Sequence, residues 1–127
     1  MIGSIISGVI IYIALGMLYY SPVLFGNLWV ELLDIKAEEP NYGVLTLVTL
    51  LTSTVLSLLL YWTGAETYLD GILTGLAVGS IVTLAYAKDF LFGLGQHSTR
   101  PLQTYCIAAG YHLIALPLIG LVMMFFY

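Results

Sequence analysis

The chain has 127 residues, of which 61% are hydrophobic, and its mean hydropathy is +1.03. Only three basic and seven acidic side chains are present, which gives a formal charge of −4. So few bases exclude a nucleic-acid surface, and a single cysteine excludes an intramolecular disulfide. The composition is typical of a protein that is surrounded by lipid rather than by water.

Four apolar runs fill the chain, at about 2–20, 44–62, 71–92 and 102–126. Each is near the ~20 residues that a helix needs to cross ~30 Å of hydrocarbon. The runs predict an all-α integral membrane protein, a four-transmembrane-helix bundle that forms a single domain over 1–127. Because these spans leave no room for a soluble catalytic domain, we expect the protein not to be an enzyme.

The first span ends in aromatic residues that suit the membrane interface. These are Tyr19, Tyr20 and, a little further on, Trp29. Ser21 followed by Pro22 resembles an N-cap with proline in the first turn, and so predicts a short interfacial helix over 22–33. Its lipid-facing side chains would be Val23, Leu24, Leu28 and Leu32. The alternative is that the first span continues past a kink at Pro22.

The second span carries hydroxyl groups at helical spacing, which place them on one polar face. They belong to Thr46, Thr49, Ser53 and Ser57. Hydroxyls in membrane helices bond to carbonyls of the preceding turn or to a neighbouring helix, so this face predicts close packing against protein. A polar lining for a small cavity or path is the alternative.

The third span carries a stripe of glycines at four-residue spacing, formed by Gly71, Gly75 and Gly79. Such a stripe lets two helix backbones approach closely, and the partner is another span or a second chain. Lys88 and Asp89 lie about 26 Å along the axis from Gly71, near the end of the span. There they are predicted to be interfacial anchors, with an ion-binding pair as the alternative.

The fourth span holds His112, about 15 Å along the helix from Leu102 and therefore near the bilayer centre. A titratable group at that depth is a candidate functional site. Three roles are open to a neutral imidazole at that depth. It is a ligand for haem iron or chlorophyll magnesium, a proton relay, or a structural group bonded to a hydroxyl of the second span such as Ser53.

The basic residues predict how the protein is oriented in the membrane. Lys36 lies between the first two spans, and Lys88 and Arg100 lie at the connection between the last two. The positive-inside bias places both connections in the cytoplasm, with both termini outside.

The two halves of the chain also share a weak internal similarity. At one common offset, Phe25 and Gly26 align with Phe92 and Gly93, and Tyr19 aligns with Tyr86. This pattern predicts two parallel two-helix repeats, with chance similarity in apolar sequence as the alternative.

Three segments carry a resemblance to a known family. They are ALGMLYYSPVLFGNLW, the glycine-rich start of the third span, and RPLQTYCIAAGYHLIALPLIGL. The runs from Tyr20 to Trp29 and from Gly110 to His112 are the most specific. The chain resembles the bacterial membrane family catalogued as domain of unknown function 1761. The resemblance implies a four-helix protein of the bacterial inner membrane and supplies no activity.

Our leading functional hypothesis is a non-catalytic multi-pass membrane protein, which packs as a homo-oligomer or as an accessory subunit of a larger membrane complex. Its partners would be the lipid bilayer and other membrane chains, with no nucleic acid. One alternative is a small transporter or channel lined by the hydroxyls of the second span. Another is a pigment- or haem-binding subunit that uses His112, although nothing in the sequence requires a cofactor.

Overall fold

The structure is a computed structural model that describes residues 1–33, 41–91 and 100–127. These residues form five α-helices and a final 3-10 turn: α1 Ile2–Tyr19, α2 Gly26–Leu33, α3 Tyr42–Trp62, α4 Tyr68–Phe90, α5 Pro101–Met123 and the turn Met124–Phe126. Four of the helices are long and apolar enough to cross a membrane, and α2 is the short one. The predicted all-helical membrane fold with four spans is confirmed.

The helix α4 begins at Tyr68, three residues before the predicted span. Thr67 caps it: the Asp70 backbone N–H donates to Thr67 Oγ1 at 3.2 Å, and the Thr67 N–H donates back to Asp70 Oδ2 at 2.8 Å. This reciprocal pair satisfies backbone donors that the first turn would otherwise leave free. The helix therefore begins before the predicted span of about 71–92, and Asp70 lies in its first turn.

The short helix α2 begins at Gly26 and not at Pro22. The residues between are consecutive turns, and the hydroxyl of Ser21 donates to the Leu18 carbonyl at 2.6 Å rather than capping a new helix. A Cβ on Gly26 would lie 2.7 Å from the carbonyl carbon of Ser21, so this tight reversal requires glycine. Leu32, expected to face lipid, is 1% exposed and belongs to the protein interior.

Some sequence predictions concern residues outside those that the structure describes. Among them are Lys36, which enters the orientation argument, and Phe92 and Gly93, which anchor the repeat alignment. The predicted end of the third span at 92 also lies outside the described ranges, since α4 is described to Phe90.

The helix α5 is the centre of the bundle. Half of its membrane-spanning window is buried, against 17% for α1 and for α4. It packs most extensively on α4 and next on α1, whose other main neighbour is α3. The side chains that are fully buried at this centre are Leu56, Leu60, Leu116, Ile119 and Met123.

The contacts therefore run in the order α3, α1, α5, α4, and a weaker contact between α3 and α4 closes the bundle. Each predicted repeat half corresponds to one contacting pair, α1 with α3 and α4 with α5. That the halves arose by duplication stays a prediction. The side bearing Met1, the α3–α4 turn and Tyr127 is called the terminal side below, and the opposite side, which bears α2 and Arg100, the loop side.

Candidate functional site

The glycine stripe of α4 lies directly against the backbone of α5. A Cβ on Gly79 would lie 3.1 Å from the carbonyl oxygen of His112, and at Gly75 it would lie 2.8 Å from Cα of Pro117. At Gly71 the atoms met are the backbone of Gly120, itself a glycine. The partner of the stripe is thus another span of the same chain, and the close approach fixes His112 on α5 relative to α4.

The hydroxyl face of α3 packs on a matching small-residue face of α1. Thr49, Ser53 and Ser57 are at most 3% exposed, whereas Thr46 at the loop-side end is exposed. A Cβ on Gly8 would lie 2.8 Å from Ser53 Oγ, so the absence of a side chain at Gly8 makes room for that hydroxyl. The face is closely packed, which is the arrangement that disfavours a solute path along it.

At the terminal side this contact is a hydrogen-bonded cluster. The Ser4 and Ser57 hydroxyls are 2.8 Å apart, and the Ser57 hydroxyl is 2.7 Å from the hydroxyl of Tyr127. Ser4 Oγ also donates to the Met1 carbonyl at 2.5 Å. The segment after α5 is thereby bonded to Ser57 of α3, which is bonded in turn to Ser4 of α1.

The hydroxyl of Ser53, one turn from Ser57, differs from its neighbours. It is 1% exposed and has no hydrogen-bond partner among the described residues. Thr49, the preceding hydroxyl of the face, donates to the Thr46 carbonyl at 3.1 Å. Because a buried, unpaired hydroxyl costs about 1–3 kcal/mol, its presence calls for a physical reason.

His112 lies between two tyrosines that come from two other helices. Its Nδ1 is 2.6 Å from the hydroxyl of Tyr12 on α1, and its Nε2 is 3.1 Å from the hydroxyl of Tyr86 on α4. A neutral imidazole has one N–H donor and one acceptor nitrogen, so it donates to one tyrosine and accepts from the other. The expected bond between His112 and a hydroxyl of α3 such as Ser53 was wrong.

The tyrosine pair is held in turn by further aromatic contacts. Tyr111 donates to the Tyr12 carbonyl at 2.6 Å, and its ring centroid lies 5.7 Å from that of Tyr12. The rings of Tyr12 and Tyr86 meet His112 nearly edge-on, at centroid distances of 5.9 Å and 5.2 Å. Edge-to-face contacts of this kind add to burial and orient the rings, so the imidazole has little freedom to turn.

This geometry bears on the chemistry available to His112. Ligation of iron or magnesium uses a nitrogen lone pair, and here both nitrogens are engaged with tyrosine hydroxyls. A bound haem or chlorophyll would have to displace one of them. Proton exchange, by contrast, uses the hydrogen bonds as they stand.

The three aromatic residues predicted to be interfacial, Tyr19, Tyr20 and Trp29, are packed against protein. Tyr19 donates to the Ile107 carbonyl at 2.7 Å, and the ring of Tyr20 lies 5.1 Å from that of Trp29 and 5.6 Å from that of Tyr111. All three predicted residues are half-buried. Their aromatic contacts fix the loop-side end of α1 on α5.

Next to Tyr19 is an apolar groove of about 280 Å³. It lies between α1 and α5 and includes the side chains of Leu18, Phe25 and Ile114. These residues are themselves exposed, so the groove opens to the side where the lipid chains would lie.

Lys88 and Asp89 form an ion pair with each other at 2.8 Å near the end of α4. The lysine side chain is 62% exposed and the aspartate side chain 30%. A second, longer pair joins Arg100 to Glu31 of α2 at 3.5 Å. Within the described ranges no group of three or more metal-ligating side chains comes together.

Sequence reasoning identified His112 but not its partners. Tyr12 follows Ser4 and Gly8 at four-residue spacing, which puts the three residues on one face of α1. Tyr86 lies seven residues after Gly79, two helical turns further along the same face. Both signals were present, but only the relative depth of three helices brings these hydroxyls to one imidazole.

Comparison with known proteins identifies a family. A protein-family model described as "Protein of unknown function (DUF1761)" matches residues 4–124. No curated protein and no solved structure matches the chain.

Proposed function

Since the chain belongs to the DUF1761 family, whose description names no activity, we propose its function from its geometry. It is a non-catalytic multi-pass membrane protein that associates with other membrane chains, first of all with a second copy of itself. A larger membrane complex, in which it would be an accessory subunit, is the other assembly of this kind.

The observation that carries the proposal is the outward face of α4. This helix packs chiefly on α5, and the face turned away from α5 includes the exposed small residues Ala77 and Ser80. Bulky apolar side chains such as Ile81 and Leu84 are exposed on α4 as well, as Ile10 is on α1, so the small residues of α4 lie between larger ones. Small residues at exposed positions let a neighbouring helix approach closely, which lipid chains do not require.

The weak contact between α3 and α4 adds support. The two helices are consecutive and joined by a short turn, yet they contact each other much less than α4 contacts α5. A helix from a second copy that packs on α4 next to this weak contact would reinforce it.

The test is native mass spectrometry of the protein extracted in mild detergent. We expect a dimer or larger assembly, or a co-purified membrane protein. The variant Ala77→Trp should shift the population towards monomer, and Ala14→Trp should not, because Ala14 is an exposed alanine on α1 rather than α4. A monomeric wild-type chain that retains no other protein would overturn the proposal.

The two alternative functions have less geometric support. A path for a solute along α3 would need space beside Thr49 and Ser53, and these side chains are buried. A pigment on His112 would compete with Tyr12 and Tyr86 for its nitrogens. An absorbance spectrum of the purified protein tests the pigment hypothesis directly, and a coloured preparation that loses its colour in His112→Ala would reinstate it.

The orientation is part of the same proposal. Lys88 and Arg100, the described basic residues, both lie towards the loop side, which we assign to the cytoplasm of a bacterial inner membrane. A reporter that is active only outside the cytoplasm, fused after Tyr127, should be active. Activity of a cytoplasmic reporter at the same position would reverse the assignment.

A further inference from the structure

We propose that the apolar groove between α1 and α5 binds one acyl chain of a glycerophospholipid from the loop-side leaflet, with the lipid phosphate at Arg100. This inference goes beyond the assembly proposed above and does not depend on it. The association surface lies on α4, whereas the groove is lined by residues of α1, α5 and the turn between α1 and α2.

The groove differs from the furrow between two ordinary helices because a third segment lines it. Its floor includes Tyr111 and Ala115, which are buried, and its walls include Leu18 of α1 and Ile114 of α5. After α1 ends, the chain turns before α2 begins, and this turn contributes Phe25 to the lining. Three segments of the chain therefore surround the space, which makes it a binding site rather than an open helix surface.

The hydroxyl groups carried by lining residues are bonded within the bundle. Tyr19 donates to the Ile107 carbonyl at 2.7 Å, and Tyr111 donates to the Tyr12 carbonyl at 2.6 Å. The other lining side chains are those of leucine, isoleucine, phenylalanine and alanine. A ligand that placed a polar group here would leave that group without a hydrogen bond, which costs free energy in an apolar site. The chemistry of the lining therefore selects a hydrocarbon chain.

The dimensions of the groove also suit a lipid chain. Its volume is about 280 Å³. An apolar cavity of ~150 Å³ accommodates a benzene molecule, so this groove takes roughly a dozen carbon atoms. A helix with its side chains is about 10–12 Å across, too wide to enter the space between two packed helices. The exposed, bulky side chains of Leu18, Phe25 and Ile114 also keep a helix of a second copy from approaching closely.

Arg100, just before α5, lies at the depth expected for the phosphate of such a lipid. Tyr111 follows Arg100 by eleven residues, which is about three helical turns and about 16.5 Å along one face. The chains of one leaflet fill half of the ~30 Å hydrocarbon core, or about 15 Å. A lipid whose phosphate is level with Arg100 therefore reaches the groove with the distal part of its chain.

Arg100 also supplies the charge that a phosphate needs. Its side chain is 52% exposed, and its ion pair with Glu31 of α2 is 3.5 Å long, against 2.8 Å for the pair of Lys88 and Asp89. An exposed ion pair contributes little to stability, so a phosphate can take the place of Glu31. The planar guanidinium suits this ligand because it donates two parallel hydrogen bonds to a phosphate.

The experiment uses the full chain in vesicles of phosphatidylethanolamine and phosphatidylglycerol. A trace of phosphatidylglycerol carries a photoreactive diazirine in the distal part of one acyl chain, and mass spectrometry of peptides locates the residues labelled on illumination. We expect Leu18 and Ile114 to be labelled several-fold more than Ile10 and Leu51, which are about equally exposed but lie outside the groove. Equal labelling of these four residues would indicate only the general lipid surroundings and would overturn the proposal.

Variants that fill the groove separate binding from exposure. Ile114→Trp places an indole in the groove and should remove the excess labelling at Leu18. The matched control is Leu118→Trp, one turn further along α5 and outside the lining, which should keep it. Because both replaced side chains are exposed, both variants should retain the helix content of the wild type by circular dichroism. Unchanged labelling at Leu18 in Ile114→Trp would refute the site.

Two further results test the phosphate and the occupant. Arg100→Gln should lower the excess labelling, and labelling as in the wild type would overturn the placement of the phosphate. A wild-type groove without lipid label, together with dissociation of the assembly to monomers in Ile114→Trp, would assign the groove to a second copy instead of a lipid.

Discussion

Replacing Gly75 with alanine should force α4 and α5 apart and destabilise the whole bundle. The added Cβ would lie 2.6 Å from the carbonyl carbon of Leu116 and 2.8 Å from Cα of Pro117. Non-bonded carbon atoms prefer about 3.5–4.0 Å, so the two backbones must separate by about 1 Å. The atoms in the way belong to helix backbone, which cannot turn aside as a side chain can.

The size of the effect follows from two opposing contributions. Overpacking costs about 1–3 kcal/mol, and the rigid neighbours here put the cost at about 3 kcal/mol. Alanine favours the helix over glycine by about 1 kcal/mol. The expected net loss is about 2 kcal/mol in the free energy of unfolding, or about 30-fold in the folding equilibrium.

The measurement is unfolding by sodium dodecyl sulfate in mixed micelles, followed by circular dichroism. The control is Gly43→Ala, since a Cβ there meets only Asn41 Oδ1 at 3.4 Å, an ordinary contact. Gly43→Ala should leave the protein as stable as the wild type or more so. If Gly75→Ala were equally well tolerated, the close approach of α4 and α5 would be refuted.

Two further predictions concern hydrogen bonds of the helices. Asp70→Ala removes the carboxylate that accepts the Thr67 N–H and should cost about 1 kcal/mol, seen as faster amide exchange in the first turn of α4. Ser57→Ala removes bonds to α1 and to Tyr127 and should also cost about 1 kcal/mol in the micelle titration. Thr54→Ala, which removes only a bond within its own helix, should change the unfolding free energy by far less. Equal losses in Ser57→Ala and Thr54→Ala would contradict the hydrogen-bonded cluster at Ser57.

The sequence predicted the helices well because each depends on local properties. Apolar runs long enough to cross a bilayer leave the backbone no alternative to helix, so the four spans were found within a few residues. The differences lie at the starts of two helices, since α4 begins before Asp70 and α2 begins after Pro22. At such positions a cap or a turn depends on the geometry of a few side chains. Leu32 shows another limit, because a residue apolar enough for lipid is equally suited to a protein interior.

The site was predicted in part. The sequence identified His112, Ser53 and the glycines of α4 as the residues to explain. It did not identify Tyr12 and Tyr86 as the partners of His112, since hydrogen bonds between helices depend on their relative depth and rotation. Tyr12 and His112 are far apart in the chain, and their meeting at 2.6 Å follows from how α1 packs on α5.

The sequence by itself thus indicated that the protein lies in a lipid bilayer, how many spans it has and which helix faces pack together. These follow from hydrophobicity and helical periodicity, which act over a single segment. Only the tertiary structure decided that the glycine stripe contacts α5 of the same chain, that the α3 hydroxyls face α1, and that His112 bonds two tyrosines. Because lipid is as apolar as the helices, burial of apolar surface does not favour one neighbouring helix over another. The arrangement of the helices depends on complementary shape and on hydrogen bonds between helices, which exist only in the folded bundle.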